Sequence, residues 1–349
     1  MKKIVLYLLL LTINGCIEPF EPIIEIDISP IVITGIITDL NPAQVEIAKP
    51  VTGYTEENDI ERISGATVLL FDDQGNQEQL TEIRNGYYMG VSKGVVGRKY
   101  HINVHLSNND IVNSSPQLLK PCPSIDSLFL EQISYLKPFG NIKVDVNGLN
   151  LNLYMNHNDT LSRYYKWKIG GTYEKSSAFG VDTCYVTLPT HFNFVIGESM
   201  SNNIDLLWKK LKFIEPDGTY AFGHSVEVTQ YALTKEAYDY WKKIEDQQNN
   251  VGSVFDPPPA QITGNLNYDD NQNSPAIGFF EVSSVKKKRI FIKPIDFLGL
   301  TEESSQFSTN DLDAKCFPIP GVLNFVPPSY CFDCSLIENS TKIKPSYWP

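Results

Sequence analysis

One amphipathic helix with strand signals on both sides does most to limit what this chain can become. Thr234 stands where an N-cap belongs, with Glu236 in the first turn against the positive helix end. Ala237, Trp241, Ile244 and Gln248 recur at helical spacing, Tyr238 and Tyr240 lie beside them, and Asn249-Asn250 ends the run. A helix over 234–249 is about 22 Å long. Asp239 and Lys243, four apart, predict an exposed pair. Two aromatics and an isoleucine on one face need a sheet to lie on, so Trp241 and Ile244 are expected to be buried against one. The flanking sequence supplies it. Val226 and Val228 alternate with Glu227 and Thr229 before the helix. After it, Pro257-Pro258-Pro259 forces an extended segment, and 261–266 and 277–285 read as strands joined by a polar turn.

The rest of the chain is mainly β. From residue 31 to 118, short strand candidates (31–38, 45–49, 66–71, 87–91, 100–106) alternate with turns at Asn41-Pro42, Asp73-Gln74-Gly75 and Asn85-Gly86. That spacing predicts an immunoglobulin-like β-sandwich domain. The order Ala66-Thr-Val-Leu-Leu-Phe71, Gly86-Tyr-Tyr88 and Gly97-Arg-Lys-Tyr-His-Ile-Asn-Val104 resembles transthyretin-like and carboxypeptidase-regulatory-like modules. Pro116, Pro121 and Pro123 interrupt any strand and place a boundary there. Residues 124–349 then form a larger β-rich domain with the helix on its face and a disulfide-linked tail. Leu149, Leu151 and Leu153 alternate with Asn150 and Asn152, while 164–169, 184–188 and 192–196 are further strands and 204–214 fits helix or strand.

The N-terminus reads as an address. Lys2 and Lys3 precede an apolar run, Ile4 to Ile13, too short to span a bilayer, and Gly15-Cys16 closes it. This is the layout of a lipoprotein signal over 1–15, with Cys16 as the lipid-attachment residue and mature N-terminus. Residues 16–30 read as a tether, acidic and proline-containing at 18–25. Acyl chains contribute about 0.8 kcal/mol per buried CH₂. No other run of 18 apolar residues occurs. A net charge of −12 disfavours nucleic acid as a partner. The basic run Lys286-Lys-Lys-Arg289 is expected as a solvated strand edge that discourages pairing.

Recognisable chemistry is sparse. His101 and His105 share a strand face but lie about 13 Å apart, too far to hold one metal ion by themselves. His157, His191 and His224 are isolated, and no zinc-protease motif, nucleophile elbow or phosphate loop occurs. Asp269, Asn271 and Asn273 imitate a calcium loop, but Ser274 and Phe280 stand where Gly and Glu are needed. A polar turn is the better reading. No catalytic residue, metal ligand or cofactor is assigned. If Cys16 carries lipid, an odd number of cysteines remains, with Cys184, Cys316, Cys331 and Cys334 as disulfide candidates. Cys331-x-x-Cys334 fits a redox pair or half a zinc site, but an oxidising compartment favours structural cross-linking.

Several segments carry a resemblance: Leu233-Thr-Lys-Glu-Ala-Tyr-Asp-Tyr-Trp241, Phe255-Asp-Pro-Pro-Pro-Ala-Gln261, Gly264-Asn265 and Gly278-Phe-Phe280. Cys16-Ile-Glu-Pro-Phe-Glu-Pro22 agrees, as do Cys331-Phe-Asp-Cys334 and Lys344-Pro-Ser-Tyr-Trp348. Together they resemble the Bacteroidota lipoprotein family classed as domain of unknown function 4249. The resemblance implies an outer-membrane, lipid-anchored protein, cell-surface-exposed or facing the periplasm, beside a TonB-dependent receptor as accessory or binding subunit. It implies no established activity and no ligand. A surface hydrolase acting on glycan or peptide, and a structural envelope protein, are the rival expectations. Asp126-Ser127-Leu128 and Asp159-Thr160-Leu161 resemble the O-glycan acceptor motif of this bacterial group, with Ser127 and Thr160 as the candidate sites.

Overall fold

The computed structural model describes residues 31–50, 60–139, 142–156, 162–180, 182–188, 194–199, 206–215, 218–220, 222–249, 262–269, 276–297, 315–317 and 325–349. The first strands are β1 (Val32–Thr38), β2 (Pro42–Ala48), β3 (Thr67–Asp72), β4 (Gln77–Gln79), β5 (Thr81–Arg84), β6 (Tyr87–Lys93), β7 (Lys99–His105), β8 (Ile111–Ser114) and β9 (Gln117–Leu118). Next come β10 (Ser127–Phe139), β11 (Ile142–Asn156), β12 (Tyr164–Ser176), β13 (Thr183–Leu188), β14 (Phe194–Glu198), β15 (Leu206–Ile214) and β16 (His224–Leu233). The helix α1 (Lys235–Asn249) follows, then β17 (Leu266–Tyr268), β18 (Ile277–Ile292) and β19 (Ser340–Thr341). The fold is mainly β, with one flanking α-helix among the described residues.

A long sheet runs through the molecule in the order β19-β13-β12-β16-β18-β1-β2-β6-β5, with β14 also on β12. Two smaller sheets cover one face of it. The sheet β17-β8-β7-β3-β4, with β9 on β7, shares a core with the N-terminal strands through Ile33, Ile37, Val68, Ile102, Val104 and Phe280. The sheet β10-β11-β15 shares a second core, with Leu149, Leu151 and Leu153 against Tyr165, Trp167 and Val228. Helix α1 packs on the opposite face, where Leu233, Ala237 and Phe279 meet Tyr164, Tyr231, Tyr240 and Trp241.

Strand β18 links the halves. Its first residues, 277–283, pair parallel with β1, and its later residues, 284–292, pair antiparallel with β16. It is buried almost without a break from Gly278 to Val285 because one face meets the first core and the other lies under α1. The N-terminal sandwich is therefore not made from 31–118 alone: Leu266, Ala276, Phe280 and Val282 complete its core. Residues Ile31–Pro349 form one compact unit. A Cβ at Gly264 would meet the carbonyl oxygen of Gly278 at 1.6 Å, and Gly278 has φ +116° with Ile33 O 1.9 Å from where its own Cβ would be. Only glycine fits at either place. Asn265 then imitates a strand, accepting from Phe280 N at 2.8 Å and donating to Phe280 O at 3.0 Å.

The helix begins as expected: Thr234 Oγ1 accepts from Ala237 N at 3.2 Å and donates to Gln117 Oε1 at 2.6 Å. Two expectations need correction. Asp239 pairs with Lys235 rather than Lys243, while Lys242 meets Glu245 and Asp246. Trp241 and Ile244 are half-buried, and Ala237 is the helix residue fully enclosed. The basic run 286–289 has a strand partner on one side, since the pairing with β1 ends at Ser283. It pairs with Glu227–Gln230 of β16, where Glu227 binds both Lys287 and Arg289, and Lys288 Nζ donates to Ile125 O at 3.1 Å. The ambiguous segment before Ile214 is strand β15.

Candidate functional site

A strongly perturbed lysine lies between α1 and the long sheet. Even-numbered residues of β12 and odd-numbered residues of β16 and β18 face the helix, which brings Lys166, Tyr231 and Glu281 together. Lys166 Nζ forms an ion pair with Glu281 Oε2, and both side chains are buried. Trp241 Nε1 donates to the same oxygen at 2.6 Å, and Ser283 Oγ donates to Glu281 Oε1 at 2.9 Å. The Lys166 ammonium lies 3.8 Å from the Trp241 ring and 5.0 Å from that of Tyr231. Burial pushes Lys166 down to about 8, against the pull of Glu281 and with help from Lys168, and burial raises Tyr231 and Tyr240. A lysine near neutrality is a candidate base or nucleophile. Here it is enclosed by helix and sheet, so a substrate has no approach and the pair acts as a helix clasp.

A cleft of about 40 Å³ opens between β12, β15 and β16, lined by Ile169, Gly171, Leu188, Lys212, Tyr220 and His224 among others. It has room for about three waters and is far below the size of a metabolite pocket. His224 is buried there, stacked on Tyr220 at 4.4 Å, with Nδ1 3.3 Å from Thr219 Oγ1. A Cβ at Gly171 would come within 2.3 Å of His224 Nε2, so the glycine makes room for the ring.

The C-terminal tail builds an exposed feature. Cys184 of β13 is bonded to Cys334, and Cys316 to Cys331. The cross-linking reading of the Cys331-x-x-Cys334 motif is therefore the one realised: its two sulfurs bond to different strands of chain and not to each other. The tail continues along β13 as β19, with Lys342 holding Asp182 at 2.9 Å and Asp333 at 3.0 Å. The Ser335 hydroxyl and then Lys342 hold the Asp333 carboxyl down at about 2. Tyr347 and Trp348 close the strap, packing on Arg289 at 3.6 Å and on Tyr185 at 5.0 Å. Phe317 and Phe332 each follow a cysteine of the second disulfide. Both rings meet Phe179 of the β12–β13 turn, at 5.6 and 5.3 Å. All three are roughly half-exposed, at 46 %, 50 % and 53 % for Phe179, Phe317 and Phe332. Sequence spacing gives no hint of this cluster, since its members come from two distant segments.

The remaining expectations fall as follows. Cys16, Thr160, His157, His191, Asn271, Asn273 and the triple proline lie outside the described residues. Ser127 opens β10, half-buried and opposite Tyr154. His101 is half-buried and stacked on Phe71 at 5.1 Å, its pKa lowered by burial, while His105 is exposed. Asp269 is a turn residue whose N–H donates to Ile111 O at 2.9 Å. Among the described cysteines Cys122 is the free thiol, buried and pushed up to about 12, with Gln230 Nε2 3.3 Å from its sulfur. Among the described residues, no group of three or more His, Cys, Asp and Glu side chains is placed to hold a metal ion.

Architecture and site together define a class: a two-layer β protein with one clasped helix and a disulfide-braced tail. The family model described as "Domain of unknown function (DUF4249)" matches residues 17–289. The chain belongs to this family. Among curated proteins, none matches it. The quoted motif residues that the structure describes serve the fold: Trp241 clasps Glu281, Gly264 and Gly278 permit close strand approach, and Asn265 and Trp348 seal junctions.

Proposed function

We propose that this chain is a lipid-anchored outer-membrane protein that works by binding, as an accessory subunit of a TonB-dependent receptor. The observation that carries the binding reading is the half-exposed cluster of Phe179, Phe317 and Phe332, fixed in place by disulfides. Exposed aromatics grouped on a rigid support favour a partner contact, because little side-chain freedom is lost when they dock. The strongly shifted lysine, in contrast, is sealed under a helix, and the cleft beside His224 is too small for a glycan or peptide substrate. Cys16 would hold the protein at the bilayer through its acyl chains, with Ser127 and Thr160 as the proposed O-glycan positions.

The anchor is tested by fractionation. Wild type should stay with outer membranes through a carbonate wash, and Cys16→Ala should appear in the soluble fraction or as uncleaved precursor. A washed membrane that retains Cys16→Ala at the wild-type level contradicts anchoring at this residue.

A further inference from the structure

We propose that the outer face of the sheet β10-β11-β15 is a carbohydrate-binding site, separate from the phenylalanine cluster. Leu149, Leu151 and Leu153 of β11 point into the core, so Asn150, Asn152 and Tyr154 point away from it. Register sets their neighbours. Tyr154 lies opposite Trp208 of β15, and Asn152 lies between Phe129 of β10 and Lys210 of β15. Asn150 lies between Glu131 of β10 and Phe213 of β15. Directly opposed residues share a face. The result is a face about 13 Å long and 10 Å wide, four aromatics around an asparagine pair.

Two observations point to a ligand rich in hydroxyl groups. The first is the pair of orphan acceptors. Asn150 and Asn152 are 4 % and 0 % exposed, and the Oδ1 of each has no hydrogen-bond partner. Buried acceptors are rarely left unmatched in a native protein. The orientation of Asn152 is set by its Nδ2, which donates to Glu131 Oε2 at 3.3 Å and Asn150 O at 3.4 Å. That leaves Oδ1 as the acceptor without a partner, and an O–H donor is what it lacks; it lies recessed between Phe129 and Lys210, whose side chains part to admit a hydroxyl. The second observation is the aromatic rim. Trp208 is 56 % exposed and Phe129 is 37 % exposed, both rising beside the shorter asparagines. A pyranose has an apolar C–H face that packs on such rings and a rim of hydroxyls that reaches the amide oxygens and Glu131. Lys210 supplies a donor to ring or hydroxyl oxygens. A protein partner would want a continuous apolar centre. Here the amides interrupt the aromatics, which suits alternating apolar and hydroxyl surface.

The full chain in detergent is applied to a broad glycan array, and the strongest glycan is then titrated while following tryptophan fluorescence. Saturable binding is expected, weakened about tenfold by Trp208→Ala. Asn152→Leu separates binding from folding. It removes an unmatched acceptor, so its melting temperature should equal or exceed wild type while glycan affinity falls severalfold. An array without binding, or affinity unchanged by both variants, overturns the proposal. A phenylalanine-cluster variant should keep wild-type glycan affinity, so this site and the receptor contact fail independently.

Discussion

Lys166→Met should lower the unfolding free energy by about 3–5 kcal/mol, because it strands the Glu281 carboxylate beneath the helix. The partners lie on β12 and β18, 115 residues apart, and neither is reached by solvent. Trp241 and Ser283 still donate to Glu281 in the variant, but neither carries a compensating charge. Lys166→Met/Glu281→Gln should recover most of the loss, since the buried charge is gone and the glutamine oxygen still accepts from Trp241. Denaturant midpoints at constant slope measure both. A single variant within about 1 kcal/mol of wild type contradicts the clasp, given a total stability of roughly 5–15 kcal/mol for a folded domain. The same group has a pH signature. Its folded pKa of about 8 lies below the ordinary lysine value, so above pH 8 the unfolded chain binds more protons and this group's contribution rises with pH. From pH 9 upward the buried Cys122, raised to about 12, works in the opposite direction, followed by Tyr231 and Tyr240. A rise confined to pH 8–9, with a slope of at most about 1.4 kcal/mol per unit, is expected in wild type and absent in Lys166→Met.

Removing the Cys184–Cys334 bridge by a double alanine substitution should cost more than removing Cys316–Cys331. The sequence separations are 150 and 15 residues, and loop-closure entropy gives about 5 against about 3 kcal/mol. The longer bridge ties β13 to the tail, so its loss also frees the Tyr347–Trp348 strap from β12 and β18. Loss of the shorter bridge leaves the body intact but releases Phe317 from its place beside Phe332 and Phe179. Thermal melts under non-reducing conditions rank the two variants. A larger loss from Cys316→Ala/Cys331→Ala contradicts this account of the tail.

Much of the fold was legible because local patterns carried it. The 3.6-residue repeat with Thr234 ahead of it marked the helix to within a residue, and alternation marked β1, β3, β7 and β11. What was missed depends on distant pairing. Strand β10 has no clean alternation, since Phe129 and Leu136 sit exposed among its polar residues. The crossing of β18 from β16 to β1 leaves no local mark, because both partner strands lie far away in sequence. Site residues were least legible of all. Lys166 and Glu281 meet only through β16, and Trp208 meets Asn152's neighbour Tyr154 only through the β11–β15 register. The cysteine pairing needed the fold too, because Cys331 and Cys334 turn to opposite partners.

Co-purification from native membranes tests the central reading most directly. Tagged wild-type protein, extracted in mild detergent, should bring down a TonB-dependent receptor barrel in near-equal amount, and Phe179→Ser/Phe332→Ser should reduce that recovery about tenfold or more while remaining in the membrane. The protein recovered alone, with a TonB-dependent receptor barrel present in the same membranes, would contradict the accessory-subunit account.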